Sequence, residues 1–242
     1  MAHVAMKSGE VPRYDANERL THWIVAILFV LLTASGLAFF HPAFWFLSGL
    51  LGGGVWSRIL HPFLGVAMFA FFAVMAVRYW QDNVIKAYDR AWQKRLSDVI
   101  NNRDDGLPEI DKYNIGQKQL FWTMIVTMIL LLVSGIMLWR PYFAGAFPIP
   151  LIRIAGFVHA VSAFVLILGI VVHIYSAIFW VRGSMRAMTR GTVSHAWAMH
   201  HHPLWYRRVT GQGHHTTHHP AAHATAPSAA HQAAHSAPHS SK

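Results

Sequence analysis

Four long apolar runs, at residues 20–40, 62–80, 119–139 and 154–181, constrain this chain more than any other feature. A bilayer core of ~30 Å takes about 20 helical residues, and each run meets or nearly meets that length. A lone segment crosses lipid only if its backbone hydrogen bonds close internally, so each run is read as a spanning α-helix. A soluble four-helix bundle would carry polar outer faces at helical spacing, whereas these runs are apolar all round. With 54% hydrophobic and 12% charged residues among 242, the chain is also too apolar for an ordinary soluble domain. The fold expected is all-α and integral to the membrane, a four-transmembrane-helix bundle over residues 20–182. It is flanked by an N-terminal segment at 1–19, an interfacial segment at 183–210 and a histidine-rich tail at 211–242. The first run is too long for a signal-peptide core and follows Arg13, Asp15, Glu18 and Arg19 directly, so its helix is expected to be retained.

The formal charge of +10 is distributed as topology demands. Lys7, Arg13 and Arg19 precede the first run. Lys86, Arg90, Lys94, Arg95, Arg103, Lys112 and Lys118 lie between the second and third, and Arg182, Arg186, Arg190, Arg207 and Arg208 follow the fourth. The two opposite loops hold only Arg58, Arg140 and Arg153. Positive loops stay cytoplasmic, which predicts that both termini and the central loop are inside. Orientation and anionic lipid account for the basic excess, so no nucleic-acid partner is inferred. The chain has no cysteine, which excludes disulfides, iron–sulfur ligation within it and thioether-attached haem.

Between the runs, residues 44–56 are apolar but short and end in Gly52, Gly53 and Gly54, which reads as a segment lying at the outer interface. In the central loop Val84, Ile85, Tyr88, Trp92, Leu96 and Val99 recur at helical spacing. They predict either an amphipathic helix on the inner leaflet or a cover over neighbouring helix ends. After Gly211 the composition turns to Ala, His, Pro, Ser and Thr, which cannot bury enough apolar surface to fold. This tail holds His214, His215, His218, His219, His223, His231, His235 and His239. It is read as a disordered, solvated segment, with weak metal binding as the alternative.

His22, His61, His159 and His173 lie within or at the ends of the apolar runs. Ionisable side chains are costly there and mark function. His159 and His173 are 14 residues apart on one helix, which places them on a shared face and ~21 Å apart along the axis. His22, at the inner start of the first helix, matches the level of His173. His61, at the outer start of the second, matches His159. Two level-matched imidazole pairs are the ligand set for two bis-histidine haems, which carry electrons and keep no position open for oxygen. The carbonyls of Ala155 and Gly169, one turn before His159 and His173, are candidate acceptors for the second ring nitrogens. His41, beside Pro42 at the end of the first run, reads as interfacial. Gly36, Gly65 and Gly169 share the histidine levels, where they permit close approach of a flat macrocycle or serve helix packing. Arg19, Arg78 and Arg153 are candidates to pair with haem propionates or to snorkel. The third run has no histidine. Asn114, Gly116 and Gln117 at its start read as a polar helix start or as hydrogen-bonding groups for a quinone carbonyl.

Several strings together resemble the gamma subunit, the b-type cytochrome, of membrane-bound respiratory formate dehydrogenase. They are Leu20-Thr-His22-Trp23, Arg58-Ile-Leu-His61-Pro62-Phe63, Lys112-Tyr-Asn114-Ile-Gly116-Gln117-Lys118, Leu138-Trp-Arg-Pro-Tyr-Phe143, Phe157-Val-His159-Ala160, Val172-His173-Ile-Tyr175 and His201-His-Pro-Leu-Trp-Tyr-Arg207. The resemblance runs from Arg13 to Arg208 and leaves out the first ten residues and the tail. It implies a multi-pass protein of the bacterial inner membrane with two haems b, the outer on His61 and His159 and the inner on His22 and His173. It further implies a quinone, menaquinone or ubiquinone, at Asn114, Gly116 and Gln117. The partners it implies are an iron–sulfur subunit and a molybdenum- or tungsten-pterin catalytic subunit, both outside the membrane. On this reading the chain is the electron-transfer and quinone-reducing subunit of the enzyme and does no formate chemistry itself. The histidine pattern alone also suits the cytochrome b of a membrane-bound hydrogenase or another quinone-linked dehydrogenase. Of a different class is a histidine-lined metal-ion transporter, whose ligands would cluster at one depth with acidic partners, and the four runs contain no Asp or Glu.

Overall fold

A computed structural model describes residues 9–101, 103 and 106–211. In chain order the main elements are β1 (Glu10–Pro12), α1 (Ala16–Phe40), α2 (Gly54–Tyr79), α3 (Ala87–Gln93), α4 (Leu96–Ile100) and α5 (Ile115–Leu138). There follow α6 (Ile149–Tyr175), α7 (Met185–Arg190), β2 (Thr192–Ser194), α8 (His195–His201) and α9 (Pro203–Thr210). Four helices are long and apolar enough to cross a membrane: α1, α2, α5, and α6 with the π turn Ser176–Trp180 that continues it. The described residues are thus helical as expected, with one antiparallel pairing of β1 with β2 among them.

Each spanning helix begins earlier than its apolar run, and at α1 and α5 the reason is a polar first turn hydrogen-bonded locally. Asp15 accepts from the Glu18 N–H while the Glu18 carboxylate accepts from the Asp15 N–H, a capping box that starts α1 before the hydropathy rises. The largest difference is at α2. Gly52 and Gly53 take φ of 84° and 96°, but Gly54 is already helical, so only two of the three glycines break the chain. Ser57 donates to the Ser48 carbonyl at 3.2 Å, satisfying a polar group that hydropathy would assign to a loop. His61 therefore lies two turns inside α2 rather than at its start. The apolar segment before it is a 3₁₀ helix, Pro42–Leu51, capped by His41, whose Nδ1 accepts from the Ala43 N–H.

α1 packs on α2, α5 on α6, α2 on α5 and α1 on α6, closing a four-helix ring. Met68, Phe72, Met128 and Leu166 fill its middle, joined by Leu28, Phe29, Leu32 and Met124. The outward faces stay apolar: Val77 is 77% exposed and Phe157 72%, surface that only lipid or a partner covers favourably.

At the end that holds both termini of the described chain, the central loop folds as two short helices. Trp92 on α3 is buried against Ile110 and Ile115, so this face covers the start of α5, the second of the two readings of the loop. Of its pattern, the Val99 side chain lies outside the described residues, as do residues 212–242 of the tail. Lys118, expected as a loop charge, is instead fully buried with Asp89, its Nζ donating to Oδ2 at 2.7 Å. The segment after α6 forms a small cap over this end, with Val11, Val193, Ala187, Ala198, Trp205 and Tyr206 as its core.

Arg13 is the hub of the cap. Its guanidinium lies 4.7 Å from the Trp205 ring centre and 5.2 Å from that of Trp197, and Nη2 donates to the Lys112 carbonyl at 2.6 Å. The same Nη2 lies 3.3 Å from His202 Nε2, which must accept because arginine only donates, so His202 is neutral with Nδ1–H donating to the Asp111 carbonyl at 2.8 Å. Burial first, and the Arg13 charge second, depress the His202 pKa from 6.5 to about 3. An opened cap takes up a proton on His202 below about pH 6.5 while the closed cap does not, so falling pH favours opening across this window. Hydrogen exchange of residues 192–210, corrected for intrinsic rates, should quicken from pH 7 toward pH 4 and do so much less in His202→Gln, with the α6 amides unchanged.

Candidate functional site

The four histidines of the apolar helices meet in two pairs. His22 of α1 faces His173 of α6 with ring centres 6.3 Å apart. His61 of α2 faces His159 of α6, also at 6.3 Å. Metal–imidazole bonds of about 2 Å, with each ring centre about 1.1 Å behind its nitrogen, put two rings facing across one metal about 6 Å apart. Both pairs therefore have the spacing that a single intervening iron requires. Among the described residues no three His, Cys, Asp or Glu side chains come together as a metal cage. Any metal held between two imidazoles thus needs its remaining ligands from elsewhere, as a porphyrin supplies them.

The second ring nitrogens of the His61–His159 pair are bound by serines of the neighbouring helices. Ser35 Oγ on α1 is 2.7 Å from His61 Nδ1, and Ser134 Oγ on α5 is 2.9 Å from His159 Nδ1. The Ala155 carbonyl, the expected acceptor for His159, is not its partner; Ser134 Oγ of the neighbouring helix takes that place. A glycine follows each serine beside the ring, and at Gly135 the fit is tight. A Cβ on Gly36 would lie 3.7 Å from His61 Cε1, and one on Gly135 would lie 3.2 Å from His159 Cε1. Ser35, Ser134 and Gly135 were not foreseen from the sequence. The signal was there: Leu31-Leu32-Thr-Ala-Ser35-Gly36 and Leu130-Leu131-Leu-Val-Ser134-Gly135 are one pattern used twice, on the two helices that do not carry the His61–His159 rings. α5, with no histidine, thereby joins the site.

Other expected members have different partners. Gly65 and Gly169 face Leu32 and Leu120 of adjacent helices, as helix-packing glycines do. Arg78 bonds Asp15 at 2.6 Å and Glu18 at 2.8 Å, and Arg19 donates to the Thr189 carbonyl, so both guanidinium groups tie helix ends together. His41 is the cap already described and stands apart from the pairs.

Asn114 and Gln117 form the capping box of α5: Asn114 Oδ1 accepts from the Gln117 N–H at 2.9 Å and Gln117 Oε1 from the Asn114 N–H at 3.0 Å. This is the polar helix start anticipated as one of the two readings. It uses only the amide oxygens and leaves both NH₂ groups as donors beside the exposed Gly116.

Residues 13–191 match the family described as prokaryotic cytochrome b561, a span that contains both histidine pairs and the α5 capping box. The chain is 48% identical to the cytochrome b556(fdo) subunit of formate dehydrogenase from Escherichia coli K12, over 82% of this chain and 93% of that one. It is 44% identical to the formate dehydrogenase cytochrome b556 subunit of Haemophilus influenzae, over 81% and 82%. It is 39% identical to the nitrate-inducible formate dehydrogenase cytochrome b556(Fdn) subunit of Escherichia coli K12, over 84% and 93%.

Proposed function

The chain belongs to the prokaryotic cytochrome b561 family of integral membrane cytochromes, and from that premise we propose that it is the di-haem cytochrome b subunit of a formate dehydrogenase. The observation that carries the proposal is the pair of 6.3 Å imidazole facings, one toward each end of the bundle. His61 and His159 hold the outer haem b, and His22 and His173 the inner one. The haems supply one-electron transfer across the bundle. The protein's own work is to fix ring orientation and spacing and to exclude water with the apolar layer around Leu166, which lies midway between His159 and His173 on α6. An iron–sulfur partner at the outer end delivers electrons, a pterin-containing catalytic subunit oxidises formate, and a quinone near the cytoplasmic end receives the electrons with protons from that side. The domain limits, inner-membrane location and cytoplasmic termini set out above belong to the same proposal, supported by the charge asymmetry of the loops.

A metal-ion transporter is disfavoured by two histidine pairs without acidic partners among the described residues. A hydrogenase cytochrome shares the histidine pattern, and the formate dehydrogenase relatives tilt the choice. A reduced-minus-oxidised spectrum with haem extraction tests the core of the reading: sharp b-type bands and two haems per chain are expected, and a colourless preparation from haem-replete cells would end it.

The quinone assignment has its own test. Asn114→Asp with Gln117→Glu keeps the oxygens that cap α5 but removes both NH₂ donors. Loss of one net hydrogen bond is worth about tenfold in affinity, so the KM for quinone should rise about tenfold or more with haem content unchanged. An unaltered KM would return these residues to a capping role alone.

A further inference from the structure

Ser35 and Ser134 are enclosed in the bundle, 0% and 3% exposed, and each reaches beyond its own helix only to a histidine ring. Ser35 Oγ also lies 2.9 Å from the Leu31 carbonyl and 3.1 Å from that of Leu32, and Ser134 Oγ approaches the carbonyls of Leu130 and Leu131 in the same way. A hydroxyl has one proton. If it were given to the ring, the serine oxygen would face buried carbonyl oxygens with nothing between them. If it is given to the carbonyl, the ring must donate Nδ1–H to the serine, and every group is satisfied in a chain N–H···O–H···O=C. That arrangement fixes His61 and His159 in one tautomer and leaves each Nε2 with its lone pair free. The other pair differs: His22 Nδ1 is buried and has no hydrogen-bond partner among the described residues.

We propose that Ser35 and Ser134 are positioning residues that hold His61 and His159 as Nδ1–H tautomers and lower the reduction potential of the haem between them. The proposal rests on the bis-histidine reading given above. A hydrogen bond accepted from Nδ1–H moves electron density onto Nε2, and a more basic imidazole favours ferric over ferrous iron. Two such bonds on the outer haem, against a ligand without one on the inner haem, bias the electron to leave the outer site for the inner. The repeated Leu-Leu-x-x-Ser-Gly segment is the device: leucine carbonyls to take the hydroxyl proton, serine to take the ring proton and, at Gly135, a glycine to admit the ring. A serine present only for helix packing would have no reason to recur opposite both ligands of one pair.

The test uses the complex purified from its membrane with Ser35→Ala, Ser134→Ala and both changes. Haem is counted and each midpoint potential is read by optical redox titration; the outer haem is identified as the one missing from His61→Leu. The outer potential should rise in each single variant and further in the double, while the inner stays in place. A tenfold shift in ferric-to-ferrous preference reads as about 59 mV for a one-electron couple. Ser134→Thr keeps the hydroxyl and should hold the native value. If an alanine variant sheds its haem, Ser134→Cys, close in size but a weak acceptor, replaces it with the same upward shift expected. Both haems retained with neither potential moved, or both moved together, overturns the serine role and leaves the bis-histidine reading standing. A native complex with no low-spin bis-imidazole signal overturns that reading, and the proposal with it.

Discussion

Leucine in place of His173 should leave one b haem per chain where the native protein carries two, and should abolish quinone reduction while dye-linked formate oxidation by the complex persists. The expectation follows from the way the rings are shared. His173 and His159 stand on one helix, and each faces a ring on a different helix, His22 on α1 and His61 on α2. Removing one ring deletes one axial bond and leaves the other pair untouched. The helix itself should survive, because leucine is a better helix former than histidine and suits a spanning segment. His159→Leu should remove the other haem, with its different spectrum and potential. Formate oxidation measured with a soluble dye bypasses the bundle, so it reports whether the remaining subunits still assemble. Two haems retained after either change would mean that the facing pairs are not the axial pairs.

The second large effect should come from Lys118→Met. Lys118 Nζ donates to Asp89 Oδ2 at 2.7 Å and to the Val84 carbonyl at 3.1 Å, and it lies 5.1 Å from the Tyr88 ring centre, with both charged side chains fully enclosed. Removing one partner leaves the other as an uncompensated buried charge, which costs about 3–5 kcal/mol. Asp89 also accepts from the Lys86 N–H at 2.7 Å, so the loss loosens α3 from α5 at the turn where Asn114 and Gln117 sit. Limited proteolysis within residues 81–113 should accelerate by two orders of magnitude or more, following the population of the opened loop. Lys118→Met combined with Asp89→Leu should restore most of the protection, since an apolar pair of similar volume carries no desolvation cost. If the double variant is as labile as the single, the charges themselves are not what holds the loop.

The spanning helices and the histidine levels were legible from the sequence because they rest on local rules. A bilayer's thickness fixes how many apolar residues a helix needs, and 1.5 Å per residue fixes where His159 and His173 stand on it. Hydropathy places the start of α2 too late, because its glycine-bearing first turn is stabilised by contacts from the preceding segment. The Trp45 ring packed on Gly54 is one case, since any side chain at 54 would collide with it. The sequence marks residues 183–210 only as an interfacial segment and not as a folded cap, because the cap's core joins Val11 to Trp205 across the length of the chain.

By itself the sequence determined that four helices cross a membrane and that imidazoles stand at two depths, since hydropathy and helical rise act along the chain. Only the tertiary structure decided that Ser35 and Ser134 bind one pair of rings, that Lys118 is a buried ion and not a surface charge, and that α3 lies over α5. Those outcomes depend on which side chains from distant segments enclose a polar group, and no periodicity along one segment records its neighbours.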